Sequence, residues 1–130
     1  MSEHIRIERR GAVQVIRLDR PEKKNAITRA MYAAMTAALK AGDADPAVRC
    51  NVVLGVPGAF SAGNDLADFL AYSTEGTHGS EAFDLLEALA RSEKPIVSGV
   101  DGIAVGVGTT IHFHCDLTFA TPRSICDPML

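Results

Sequence analysis

The sequence is poor in cysteine, carries no excess of positive charge and lacks a long apolar run. The three cysteines, Cys50, Cys115 and Cys126, are odd in number, and none sits in a Cys-x-x-Cys pair. They do not form a disulfide framework and read as reduced thiols in a cytoplasmic protein. A formal net charge of −3 offers no basic field to nucleic acid. No stretch approaches the ~20 apolar residues that cross a bilayer. The longest candidate, Pro95 to Phe113, is broken by Asp101 and by glycines. The opening MSEHIRIERR has no apolar segment of the signal-peptide kind. Internal repeats and low-complexity linkers are absent as well.

What is present fits one globular domain, or part of one: 130 residues, 47% apolar and 22% charged. A chain of this length can hide roughly two-thirds of its unfolded surface. The basic residues Arg6, Arg9, Arg10, Arg17, Arg20, Lys23 and Lys24 cluster near the start. They are interleaved with Glu3, Glu8, Asp19 and Glu22, so the cluster reads as a solvated strand face. The other reading is a rim for a phosphate-bearing ligand.

IRIERRGAVQVIRLDR alternates, with Ile5 and Ile7 on one side and RRGA as a turn, which predicts a hairpin. RPEKKNAIT reads as a polar loop. Thr28 is placed to cap a helix in which Met31, Met35 and Leu39 recur as core filler, and Gly42 to end it. CNVVLGV and PIVSGV look like buried strands, and DLTFAT like a third. PGAFSAGND and STEGTHGS read as loops. NDLADFLAY starts a helix with Asp65 at its N-terminal end. SEAFDLLEALARSEK is amphipathic, with Phe83, Leu86 and Ala90 on one face. Strands alternating with helices predict an α/β domain with parallel crossovers.

Two segments repeat one design, a buried strand followed by a small-residue turn and a helix. They are GAFSAGNDL, from Gly58, and GIAVGVGTT, from Gly102. The first turn of a helix leaves N–H groups without intrahelical partners and carries partial positive charge. Were both turns to open at one sheet edge, a donor from each would make an oxyanion hole. The alternative is that the glycines only permit close packing of helix on strand. Competing motifs fail on single residues. No lysine follows Gly106 or Gly108, as a phosphate loop requires, and GVGTTI ends in Ile111 where a dinucleotide fingerprint has glycine. AFSAG lacks the first glycine of a nucleophile elbow, which leaves Ser61 a turn residue. His112, His114, Cys115 and Asp116 do not supply enough ligands on one face for zinc and read as a packed helix end. His4 and His78 have no visible partner.

Taken together, LDRPEKKNAIT, GAFSAGNDL and KPIVSGVDGIAVGVGTTIHFHCDLTFAT, in that order, resemble the crotonase (enoyl-CoA hydratase/isomerase) superfamily. The resemblance covers about Ile5 to Arg123. It implies a spiral of ββα turns, here the N-terminal part only, that binds acyl-coenzyme A as substrate, with no further cofactor. It assigns the oxyanion donors to the backbone N–H groups of Asn64 and Val107. It lines the coenzyme A path with Lys23, Lys24, Asn25 and Ala26, together with Ala62, Asn64, Asp65, Leu66 and Gly106. It also implies a homo-oligomer, a trimer or hexamer.

The sequence departs from that pattern in three places. Val107 stands where the family often has glycine, which keeps the amide but narrows the pocket. Thr110 stands where the hydratases of the family place a glutamate, and a hydroxyl is a poor base at neutral pH. The GVGTT wording looks more like the isomerase-like branch, which takes its acid/base glutamate from further along the chain. Residues 124–130, SICDPML, no longer resemble the family, so residues 1–130 read as a partial core, truncated or altered at its C-terminus. The expectation is weak or absent turnover, with a non-catalytic acyl-CoA-binding or assembly fragment as the alternative. Asp65, Asp68 and Glu81 are the carboxylates that could stand in for the missing base.

Overall fold

A computed structural model describes residues 2–74 and 81–128. His78 and most of STEGTHGS therefore lie outside the described residues. The chain opens with the expected hairpin, β1 (Ile5–Arg10) and β2 (Val13–Leu18), paired antiparallel from Ile5↔Leu18 to Arg10↔Val13. Ile5 is buried, whereas Ile7 is exposed on the outer strand. A helix, α1 (Arg29–Ala44), then returns the chain to β3 (Cys50–Leu54), parallel to β2. As expected, the Thr28 hydroxyl caps α1 by accepting the Met31 N–H. The Met31, Met35 and Leu39 side chains are buried along one stripe. Each fully buried side chain of this size is worth about 1.5–3 kcal/mol over leaving it in water.

From β3 onward each circuit places one strand in each of two sheets. After β3 comes β4 (Ala59–Ser61), then the helices α2 (Leu66–Thr74) and α3 (Glu81–Arg91). The next circuit is β5 (Ile96–Val100), β6 (Ile103–Val105) and the short helix α4 (Val107–Thr110). The last described strands are β7 (Leu117–Ala120) and β8 (Ile125–Asp127). Among the described residues one sheet runs β1-β2-β3-β5-β7 and the other β4-β6-β8, with every pair after the hairpin parallel. This is the ββα spiral that the resemblance implied. Its core lies between the sheets and the inner faces of α1 and α3 and includes Ile16, Leu18, Phe60, Leu85, Ile96 and Ile111. No described helix is long and apolar enough to cross a membrane.

Five readings of the sequence need correction. First, α1 does not end at Gly42. It runs to Ala44, and a Cβ at position 42 would lie 2.7 Å from Gln14 Nε2 and 2.8 Å from Asn51 Oδ1, so Gly42 permits a close crossing. Lys94 finishes the helix by donating to the carbonyls of Gly42 and Asp45 at 2.6 and 2.5 Å. Second, PGAFSAGND is not all loop, since Ala59–Ser61 form β4. Third, DLTFAT is a strand but not a buried one. It pairs with β5 at the end of the sheet order, and Leu117 and Phe119 are 53% and 63% exposed. Fourth, the core face of α3 is Leu85, Ala88 and Leu89, whereas Phe83 and Leu86 border a cavity and Ala90 is exposed. Fifth, the helix after the second glycine turn is a single α turn, followed by a 3₁₀ turn over Ile111–His114.

Two polar side chains tie the circuits together. Asn25 is fully buried, and its Nδ2 donates to the carbonyls of Leu18, Ala59 and Phe60, each at 3.1 Å. Its Oδ1 accepts the Arg20 N–H at 2.6 Å. One carboxamide thus bridges the end of β2 to β4. On the far side, Asp101 accepts the Gly58 N–H, the Thr121 hydroxyl and two guanidinium N–H groups of Arg123. The Arg123 guanidinium and the Thr121 hydroxyl hold this carboxyl well below the usual carboxylate range.

His114 and Asp116 are exposed, whereas within the last turn His112 is packed, as expected. Its Nδ1 lies 2.7 Å from the Ser98 hydroxyl, its ring packs on Phe60, and burial lowers its pKa. Most of the early basic cluster is paired with acids. Arg6 bonds Asp19, Arg9 bonds Asp45 at 2.8 Å and Arg10 bonds Glu8 at 3.2 Å.

Asn25→Ala removes a buried donor shared by three carbonyls and the acceptor of the Arg20 N–H, and should cost roughly 2–4 kcal/mol in urea unfolding. Asp101→Asn should lower the urea midpoint at pH 7. Because the folded carboxyl titrates below its unfolded value of ~3.9, its contribution is complete above that pH and fades as pH falls through the folded value. The gap between Asp101→Asn and the parent should therefore narrow below about pH 4, as urea midpoints measured along a pH series will show.

Candidate functional site

The first glycine turn is braced from the side by the segment that follows β2. Lys24 and Asn25 adopt left-handed backbone angles, φ 49° and 59°, and bend the chain alongside residues 62–65. Ala62 N–H then donates to Lys24 O, Ile27 N–H to Gly63 O and Asp65 N–H to Ile27 O, at 2.9, 2.7 and 3.0 Å. Ile27 thus engages the residues on either side of Asn64 in a parallel bridge. In such a bridge the skipped residue turns its own N–H to the opposite side. The Ser61 hydroxyl fixes the bend by donating to Asn25 O and accepting the Gly63 N–H, at 2.9 and 3.0 Å. It is a fully buried turn-forming residue at the end of β4.

The second turn leaves β6 through Gly106, whose φ of 58° suits glycine. Gly106 N–H donates to Asp127 O in β8 at 2.7 Å, and Gly106 O accepts the N–H groups of Thr109 and Thr110. The amide of Val107, first residue of α4, lies in the part of a helix that has no intrahelical acceptor. α4 sits hard on β4, because a Cβ on Gly108 would stand 2.5 Å from Ser61 O. The two turns are joined directly by the parallel pairs Ala59↔Ile103 and Ser61↔Ala104.

Between the turns opens a cavity of about 950 Å³. Lys23, Ala26, Ala62, Asn64, Asp65 and Leu66 line one side, and Gly106, Val107 and Thr110 the other. Of the residues named from the sequence, eight thus meet at one cavity. Lys24 and Asn25 do not line it. Lys24 is exposed at the bend, and Asn25 is buried with its carboxamide engaged by backbone. Sequence reasoning missed Tyr32, one residue beyond the buried Met31 on α1. Its hydroxyl reaches across to donate to Asn64 Oδ1, and burial pushes its pKa up to about 12. A tyrosine in the helix's apolar stretch was the available signal, since a buried phenol needs a partner.

Two of the three carboxylates near the cavity, Asp65 and Asp68, are engaged. Asp65 Oδ1 accepts the Asp68 N–H at 2.8 Å, capping α2, and Oδ2 accepts from Arg20 at 2.7 Å. That N–H and the Arg20 guanidinium hold Asp65 below the usual carboxylate range. Asp68 accepts the Arg29 N–H at 2.8 Å and faces Arg29 Nε at 3.7 Å. Glu81 lines a smaller adjoining chamber. At the position where a carboxylate base was sought, Thr110 donates to Val107 O at 3.4 Å. The arrangement can polarise an acceptor oxygen more readily than it can remove a proton.

Comparison with known proteins places this geometry. The sequence model described as enoyl-CoA hydratase/isomerase matches residues 8–126. The chain is 32% identical over 125 residues to the mitochondrial enoyl-CoA hydratase of Pongo abelii, covering 94% of this chain and 43% of that one. It is 33% identical over 136 residues to the mitochondrial 3-hydroxyisobutyryl-CoA hydrolase of Rattus norvegicus, covering 96% and 35%. Among solved structures, Pseudomonas aeruginosa OdaA superimposes with a TM-score of 0.90 at 41% identity, covering 98% of this chain and 51% of that one. The chain spans about half the length of such relatives, or less. With its spiral, its paired glycine turns and a family match across nearly all of its length, the chain belongs to the enoyl-CoA hydratase/isomerase family of the crotonase superfamily.

Proposed function

We propose that this chain binds acyl-CoA thioesters and polarises the thioester carbonyl with the backbone N–H groups of Asn64 and Val107. The observation that carries the reading is the meeting of these two residues, from separate circuits, at one cavity. The Asn64 amide is turned away from its bridge with Ile27, and the Val107 amide has no intrahelical acceptor. Donors aimed where negative charge develops stabilise an enolate, and removing one typically costs about 2.7–4 kcal/mol of barrier. The relatives' names agree on the substrate more than on the reaction. One is a hydratase and the other a hydrolase, yet both names carry a coenzyme A thioester. Lys23 lines the cavity, and in this reading its ammonium meets the nucleotide phosphates.

In the full-length family member the chemistry would be proton transfer beside the thioester, with hydration or shift of an enoyl double bond. A general acid/base typically supplies ~10²–10⁴-fold. Thr110 does not supply it, Asp65 is engaged by Arg20, and Tyr32 remains protonated at neutral pH. These observations favour a second reading for residues 1–130, acyl-CoA binding or assembly without catalysis. Cytoplasmic residence and self-association into trimers or hexamers belong to the same proposal.

Infrared difference spectroscopy of bound butyryl-CoA tests the carbonyl contact without needing turnover. The thioester band should move to lower frequency on binding. Val107→Pro, which suits the first position of a helix but has no N–H, should remove most of that shift. A band unmoved in the parent chain, or equally moved in Val107→Pro, overturns the reading. Crotonyl-CoA hydration by residues 1–130 should be slower than by a full-length relative by at least the ~10²-fold assigned to a missing base. Loss of the enoyl absorbance over hours measures it.

A further inference from the structure

The main cavity does not end at Asn64. A chamber of about 210 Å³ adjoins it, and Tyr32, Asn64, Asp65, Ala82 and Phe83 line both. The common wall contains one side-chain bond, from the Tyr32 hydroxyl to Asn64 Oδ1. Its two ends differ in exposure. Tyr32 is 4% exposed and fixed among the core residues of α1, whereas Asn64 is exposed. With a pKa raised to about 12, the phenol stays a donor throughout the working range of pH. The chamber beyond offers Ile27, Phe69 and Phe83 as apolar surface, with Asp68 and Glu81 at its polar side.

We propose that Tyr32 is a specificity-determining residue, whose bond to Asn64 holds that side chain as a partition limiting the length of acyl chain the cavity accepts. The inference rests on the acyl-CoA reading above. A carboxamide released from its partner rotates freely, and the passage past it opens. An acyl tail then leaves water for the apolar wall, gaining about fourfold in affinity for each methylene seated. Short chains, which do not reach the partition, gain nothing from its removal.

Calorimetry on the 130-residue chain tests this with butyryl-CoA and octanoyl-CoA, saturated thioesters with no double bond to react. The quantity read is the ratio of their affinities. Tyr32→Phe keeps the ring in the core and removes only the hydroxyl, and should raise the octanoyl-to-butyryl ratio by at least fourfold. Tyr32→Leu, which also shortens the wall, should raise it further. An unchanged ratio in Tyr32→Phe overturns the partition, even if Tyr32→Leu raises it, because the ring and not the bond would then set the limit. Binding of neither thioester by the unsubstituted chain overturns the acyl-CoA reading and this inference with it, whereas binding with an unchanged ratio overturns the partition alone.

Discussion

The cavity depends on a short parallel pairing, β4 against β6. Only Ala59↔Ile103 and Ser61↔Ala104 join them, and the register shifts between those pairs. So brief a ladder contributes few hydrogen bonds, yet it sets the distance between the two turns. It is supported from two sides. Asn25 anchors β4 to the end of β2, and Asp101 ties the start of β4 to the segment after β7. From above, α4 presses Gly108 onto the Ser61 carbonyl, a contact that leaves no room for a side chain. Backbone groups therefore take their direction from packing at a distance, and the side chains that fill the cavity are free to vary.

The electrostatic balance of the cavity follows from the same construction. Two residues from separate circuits, Asn64 and Val107, line it, while the nearby carboxylate Asp65 is engaged in capping α2 and pairing Arg20. A carboxylate so held is a weak base, because the N–H of Asp68 and the guanidinium stabilise its charged form. Tyr32 is the converse case. Burial keeps it neutral, and it acts by donating. Of the polar side chains at the cavity, Asp65 is thus held charged and Tyr32 neutral.

Much of this was legible from local pattern. The glycine spacing, the Thr28 cap and the Met31–Met35–Leu39 stripe each follow from interactions within a few residues, and all appear where the sequence placed them. The ββα spiral was legible only through resemblance, because the second sheet is built from strands of three residues that read as loop. Gly42 misled because a glycine near a helix end looks like a stop, when its bare Cα is needed for Gln14 and Asn51 to cross. Asn25 looked like a lining residue and is instead an internal brace, a role that depends on carbonyls far along the chain. Tyr32 was missed for the same reason, since its partner lies on another circuit. DLTFAT has the composition of a buried strand, but its burial depends on what covers it, which composition does not record.

The order of strands in the larger sheet also bears on how the molecule reaches this state. Apart from the opening hairpin, each ladder joins segments separated by a whole helical excursion, as Asn51 with Ile96. Loop-closure entropy must be met before such a ladder forms, so chains of this topology fold slowly. The hairpin is the one ladder closed by a short turn, whereas the turn carrying Val107 follows β5, whose partner β3 lies a whole circuit earlier. The cavity is therefore framed by ladders of high sequence separation, while the hairpin that opens the chain takes no part in lining it.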